Sequence, residues 1–284
     1  MTTNEKNKVE GGVLYLVATP IGNLADITDR AKKVLAKVDF IAAEDTRNTA
    51  RLLSVYEIKN ELVSYHEHNR KECGPRLVAR LLSGEAGALV TDAGMPVISD
   101  PGEDIVALCA AAGVEVRIVP GCCAAVSALA LSGLPSMRFC FEGFLPAKKG
   151  DRQKRLSALK NEERTMIFYE APHKLCATLS DMAAAFGEGR RIALCRELTK
   201  LNEETMRVTL GEAVRHYEAN EPRGEYVLVV EGGVAEESVD ISLSPEEHVA
   251  KFEAEGMSRM DAIKAAAKER GMTKSELYRI LNKD

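Results

Sequence analysis

Short apolar runs alternate with amphipathic stretches along most of the chain, and this alternation sets the first expectation about the fold. VLYLVATP (13–20) is almost continuously apolar, as a strand buried on both faces would be. PIGNLADITDRAKKVLAKV behind it turns and takes up a helical period. FIAAED, ELVSYHE, RLVARLLSGEAG, ALVTDAG, DIVALCAAAG and VEVRIVPG continue the pattern. Repeated βα units predict a largely parallel sheet with helices on its faces. The apolar helix AAVSALALSGLP, ended by Gly133 and Pro135, is expected to close this first lobe. A second alternation runs through FCFEGFLP, a helix near RQKRLSALKNE, the strand TMIFYEAP, the helix KLCATLSDMAAAFG, the strand RIALCREL and GEYVLVVEG. Two α/β lobes of comparable size enclose a cleft, and ligands favour such junctions and the carboxyl ends of sheet strands. The Gly/Pro-rich loops TPIGN, DAGMP, PGCCA and YEAP all follow such ends.

Beyond about residue 240 the pattern changes. SPEE (244–247), SRMD (258–261) and TKSE (273–276) each set a Ser or Thr three residues before an acid, so three short helices start on capping-box signals. SRMDAIKAAAKERG and MTKSELYRILNK have helix-turn-helix proportions, and seven basic residues face three acids between Gly256 and Lys283. The segment reads either as a nucleic-acid-binding appendage or as a small helical cap over a sheet edge or a dimer contact. The expected organisation is a disordered lead at 1–11, an N-terminal α/β lobe at 12–133, a C-terminal α/β lobe at 134–236 and the helical appendage at 237–284.

Composition narrows this only in part. A chain of 284 residues is about twice the usual domain size, and 45% hydrophobic and 29% charged residues are ordinary for a globular protein. A net charge of −5 excludes neither nucleic acid nor acidic partners. Locally, Lys148, Lys149, Arg152, Lys154 and Arg155 crowd around Asp151, a run that is either a solvated face or an electrostatic guide for a polyanion. Seven cysteines without a C-x-x-C predict reduced thiols, not a disulfide framework or a zinc site. The polar N-terminus, and the absence of any apolar run near the roughly 18 residues of a membrane span, predict a cytoplasmic protein with no membrane partner.

The stretch LVTDAGMPVISDPGEDIV (89–106) is a strand that empties into a Gly/Pro loop before a helix. It contains neither G-x-G-x-x-G nor G-x-x-x-x-G-K-[ST], and it carries Asp92 and Asp100 where a polyphosphate would want amides or a lysine. A small cationic cofactor of the adenosylmethionine kind suits it better than a dinucleotide. AEDTRNT (43–49) places Glu44, Asp45 and Arg47 at another strand end, where the acids act as general bases or complement a helix dipole. His66 and His68 in SYHEHN have no supporting ligands at metal spacing and are better placed to touch a substrate, so no metal is expected. Cys122 and Cys123 have nothing basic beside them in sequence and read as packing residues.

VATPIGNLADITDRA, AEDTRNTARLL, SYHEHN, VTDAGMPVISDPG, PG followed by SALALSGLP, FEGFLPAKKGDR, YEAPHKL, RELTK and GEYVLVVEG occur in this order. Together they resemble the tetrapyrrole methylase superfamily over about residues 12–232. Within it they are similar to the branch that methylates the ribose 2′-oxygen of a cytidine in the decoding region of small-subunit (16S) ribosomal RNA. The C-terminal helices resemble that branch's helix-turn-helix appendage. The resemblance implies a bilobal fold that binds S-adenosylmethionine between its lobes, a homodimer, and ribosomal RNA or the small subunit as partner. Carried onto this chain, it implies cofactor contacts at Pro20, Gly22, Asp92, Ala93, Gly94, Pro96, Ile98, Ser99, Ala124, Tyr169 and Glu170. Cys122, Cys123, Met95, Arg70, Ala171 and Lys174 depart from the usual pattern, and side-chain roles are not carried over there.

A ribose hydroxyl needs a proton acceptor, for which Asp45, Glu44 and His66 are the candidates. Arg47 and Lys174, with Lys148, Lys149 and Arg152 of the basic run, are expected to meet RNA. Two other readings stay open: a methylase of a corrinoid or other small tetrapyrrole, and a non-catalytic RNA-binding assembly factor.

Overall fold

Successive residues of the first strand enter different cores. The structure, a computed structural model, describes residues 8–233 and 243–282. Its first sheet contains β1 (Val13–Val17), β2 (Phe40–Ala43), β3 (Leu62–Ser64), β4 (Gly87–Val90) and β5 (Glu115–Val119) in the order β3-β2-β4-β1-β5. Val13, Tyr15, Val17, Ile41, Ala43, Ala88 and Val90 join one apolar cluster, and Leu14, Phe40, Ala42 and Leu89 the opposite one. Both faces of the central strands are therefore buried, which explains why VLYLV shows no polar alternation. Helices α1 (Asp29–Leu35) and α2 (Thr46–Val55) cover the first face, α3 (Arg70–Leu82) and α4 (Glu103–Ala112) the second. All pairings are parallel, so the loops at 18–23, 44–45, 65–69, 91–102 and 120–123 leave the same edge.

Helix α5 (Ala124–Ser132), read from sequence as the end of the first lobe, buries Ala125, Ala128 and Leu129 against the second sheet instead. That sheet holds β6 (Phe139–Phe144), β7 (Thr165–Glu170), β8 (Arg191–Arg196), β9 (Glu204–Thr209) and β10 (Tyr226–Val230) in the order β6-β7-β10-β8-β9. Only β6 and β7 run parallel; the other neighbours are antiparallel. Its outer face packs on α6 (Lys149–Ala158), α7 (Pro172–Phe186) and α8 (Leu210–Ala219), burying Leu156, Leu175, Leu179, Met182 and Leu210. Strand β9 lies at the edge with no fully buried residue, so its polar sequence carries no apolar run to detect.

The chain divides into two compact units, Met1–Gly232, which contains both sheets, and Gly233–Asp284. Of the expected lead, residues 1–7 lie outside the described residues, while Glu10 pairs with Arg117 at 2.7 Å. In the second unit α9 (Pro245–Ala254), α10 (Arg259–Glu269) and α11 (Lys274–Leu281) close on Val249, Phe252, Ile263, Ala266 and Leu277. Ser244 with Glu247 and Thr273 with Glu276 form complete capping boxes. The third signal forms only half: Ser258 accepts from Asp261 N–H, but the shorter aspartate bonds to the serine hydroxyl at 2.6 Å. No helix among the described residues is long and apolar enough to cross a membrane.

Candidate active site

Two strand-end loops of the first sheet are stitched together by their backbones. Thr19 N–H donates to Gly94 O at 2.9 Å, Gly94 N–H returns to Thr19 O at 3.1 Å, and the Thr19 hydroxyl donates to Thr91 O at 3.1 Å. Beyond Gly94 the loop adopts left-handed backbone at Val97 (φ 77°) and Ser99 (φ 62°). Such φ values in a β-branched and a small polar residue cost roughly 1–3 kcal/mol each and persist only where surroundings hold them. The strained segment reaches across to the second lobe, where Ser99 abuts Gly143 of β6.

Between the lobes lies a cavity of about 430 Å³. Eight of the residues expected to hold a cofactor line it: Asp92, Ala93, Gly94, Ile98, Ser99, Ala124, Tyr169 and Glu170. Pro20 and Gly22 line an adjoining hollow of about 410 Å³, and Pro96 is buried and lines neither. Tyr169 packs edge-on against Phe141 and Phe144, with ring centres 5.1 and 5.6 Å apart, and burial pushes its phenol up to about 12. The Glu170 carboxylate is turned to structural work, accepting from Ala171 N–H at 2.9 Å and the Thr178 hydroxyl at 2.6 Å at the start of α7.

The floor of the cleft is a seam between the lobes that sequence reasoning missed. Lys200 Nζ sits 2.9 Å from Glu197 and 2.7 Å from Glu225, and Thr199 accepts from Asn23 N–H at 3.0 Å. Burial pushes the Glu197 carboxyl up, but Lys200 and the Glu225 N–H outweigh it and hold it below its ordinary value. Gly22 permits the approach: a Cβ there would lie 2.5 Å from Lys200 Cγ. Gly22 is therefore a docking point for the second lobe. RELTK and GEY stand in the sequence, but the left-handed turns at Glu197 and Thr199 that bring them together leave no apolar or glycine signal.

A third hollow, of about 460 Å³, gathers Glu44, Asp45, Thr46, Arg47, Ser64, His66 and Asp92. Asp92 borders all three hollows and is held by Asn48, whose Nδ2 donates to its Oδ2 at 2.8 Å. The candidate proton acceptors thus share one site but differ in state. Asp45 caps α2, accepting from Arg47 N–H at 2.8 Å and from its guanidinium at 3.1 and 2.8 Å, and this pairing holds its carboxyl far below the usual range. Glu44 is pushed up by burial first, then by Asp100 and Asp92, with His66 opposing. Asp100 is likewise raised by burial and by Asp92. His66 Nδ1 is buried without a hydrogen-bond partner among the described residues. Its ring lies 5.9 Å from that of His68, and no cluster of three metal ligands occurs among the described residues.

The residues expected to meet RNA fall into two groups. Arg47, Lys148 and Lys149 are exposed and Lys174 is half-buried on α7. Arg152 corrects the expectation. It lies on the inner face of α6 with Leu156 one turn on, donates to Asp181 at 2.8 Å and to Ala147 O at 3.1 Å, and braces α6 against α7. Burial raises the Cys122 thiol, as expected of a packing residue.

The sequence pattern of the tetrapyrrole (corrin/porphyrin) methylases matches residues 13–214. A relative from Halalkalibacterium halodurans, ribosomal RNA small subunit methyltransferase I, is 48% identical over 277 residues, 96% of each chain. The protein of the same name from Bacillus subtilis is 48% identical over 276 residues, 95% of this chain and 94% of that one. Among solved structures, diphthine synthase superposes with a TM-score of 0.60 at 15% identity, covering 78% of this chain and 91% of that one, a likeness of fold.

Proposed function

The chain belongs to the tetrapyrrole (corrin/porphyrin) methylases, and from that premise we propose that it methylates the ribose 2′-oxygen of a cytidine in the decoding region of small-subunit (16S) ribosomal RNA, using S-adenosylmethionine. The observation that carries the reading is the extent of the likeness to relatives named for this RNA, which spans both lobes and the tail.

The cavity between the lobes fits the cofactor in chemistry. Its volume falls within the roughly 300–1,000 Å³ of small-ligand sites. Lys200 offsets one of the two charges of Glu197 and Glu225, so that with Asp92 and Asp100 the cavity keeps negative charge for a cation. Tyr169 and Phe144 offer aromatic faces, which attract cations. Bound there, S-adenosylmethionine supplies an electrophilic methyl group on a sulfonium. Asp92, at the meeting of the three hollows, marks where the ribose hydroxyl is presented, and alignment of acceptor with donor supplies much of the rate. Glu44 takes the hydroxyl proton, for a carboxylate of raised pKa is the better base at neutral pH. His66 lines the same hollow beside Glu44, and Asp45 holds Arg47 at the rim.

Arg47, Lys148, Lys149 and Lys174 meet backbone phosphates. In the C-terminal unit Lys264, Lys268, Lys274 and Arg279 are exposed on α10 and α11, and this unit serves as an RNA-binding appendage. The working form is a homodimer acting on the RNA or the small subunit. Calorimetry with S-adenosylmethionine tests the premise of catalysis: saturable binding of one cofactor per chain is expected, and no heat at millimolar cofactor would overturn it.

A further inference from the structure

The hollow of about 410 Å³ that adjoins the cofactor cavity combines polar side chains with an apolar rim. It shares Ile21, Asp92, Ala93, Lys200 and Glu225 with the cavity, so an occupant of one borders an occupant of the other. Asn48, Arg51, Leu52 and Val55 line it from a single face of α2, being three, four and seven residues apart. Leu24 and Val55, 45% and 56% exposed, form apolar lips around it. The Tyr56 hydroxyl donates to Leu24 O at 2.6 Å and ties the Leu24–Asp26 turn to the end of α2.

The polar groups between those lips have a defined sense. A carboxylate only accepts, so the Asn48 amide must turn its NH₂ to Asp92, which leaves its Oδ1 as an acceptor. Arg51, one helical turn on and exposed, is donor only. Cytosine presents two acceptors, O2 and N3, beside one donor, the exocyclic amine. Uracil presents a donor at N3 and an acceptor at O4, and so sets like against like at both contacts.

We propose that this hollow receives the target cytosine, flipped out of the RNA, with Arg51 donating to O2 and N3 and the Asn48 amide oxygen accepting from the exocyclic amine. The assignment rests on the reading of the chain as a cytidine ribose methyltransferase. It makes Arg51 and Asn48 the residues that select the base, while Asp92, fixed by Asn48, lies where the sugar passes toward the cofactor. Enzymes acting on a nucleotide commonly read an extruded base along its Watson–Crick edge between apolar or aromatic side chains.

Single-turnover methylation of small subunits carrying cytidine or uridine at the nucleotide that the wild-type protein modifies tests this directly. Arg51→Lys keeps the charge but loses the planar fork. It is expected to lower the cytidine-over-uridine preference by about 10- to 100-fold, the worth of a lost bidentate base contact. Arg51→Met should lower the preference likewise, and calorimetry should find cofactor binding unchanged in both. If both variants bind cofactor normally and slow cytidine and uridine equally, Arg51 meets phosphate and the assignment is overturned. A wild-type protein that modifies no cytidine ribose would instead remove the underlying reading. Asn48→Ser, which replaces the amide oxygen with a shorter hydroxyl that can donate as well as accept, is expected to raise uridine use relative to cytidine; an unchanged ratio there also counts against the proposal.

Discussion

Glu44 and Asp45 are neighbours in sequence with opposite electrostatic surroundings. Asp45 is stabilised as a carboxylate by Arg47 and a helix start, whereas Glu44 is destabilised as one by burial and by Asp100 and Asp92. The sequence names both acids but cannot rank them, because the ranking depends on which of the two caps α2. Glu44→Gln is expected to slow single-turnover methylation by roughly 10²- to 10⁴-fold. A base works when ionised, so the wild-type rate should climb with pH through the raised Glu44 value and flatten above it. Quench-flow profiles of the variant should lack that limb. The same shift makes the folded chain hold a proton that the unfolded chain has released, so Glu44 favours folding at low pH and loses that contribution as pH rises through its folded value. Arg152 makes the opposite lesson, for a basic residue in a basic run turns out to be internal. Arg152→Ala takes the cation from the largely enclosed Asp181 carboxylate, leaving it only the Gln153 amide at 3.0 Å, and should cost up to about 3–5 kcal/mol of stability in denaturant melts, with RNA affinity of the folded protein retained.

At the scale of elements, what was legible follows from patterning. The parallel strands of the first sheet announce themselves as apolar runs because both their faces are covered. Helix α5 does not announce its partner: it is apolar around most of its circumference, so no stripe says which sheet it serves, and packing assigns it to the second. Strand β9 and helix α8 are too polar to stand out, although Thr209 and Glu212 carry a complete capping box. The seam at Lys200 depends on left-handed turns at Glu197 and Thr199, which are not glycines and so carry no turn signal of their own. It can be broken from the far side: Gly224 has φ 80°, and a Cβ there would lie 2.5 Å from Glu197 Cγ. Gly224→Ala should displace Glu197, lower stability by roughly 1–3 kcal/mol, and weaken cofactor binding in calorimetry.

For the whole molecule, the bilobal plan and the cleft between lobes are readable from two successive alternations, while the mostly antiparallel order of the second sheet is not. Adjacent apolar runs do not reveal that β10, last in the chain among the strands, inserts between β7 and β8. The three tail helices are readable from their caps, and their exposed cations give them a testable job. Removing residues 240–284 should weaken RNA binding, flatten its dependence on salt and leave cofactor affinity unchanged; RNA affinity equal to that of the full chain would make the unit structural. The most direct measurement is transfer of a labelled methyl group from S-adenosylmethionine to small subunits from cells lacking this protein, with the modified nucleotide mapped. A single label on the ribose 2′-oxygen of one cytidine in the decoding region is expected. Label on a base, or none on the RNA, would contradict it.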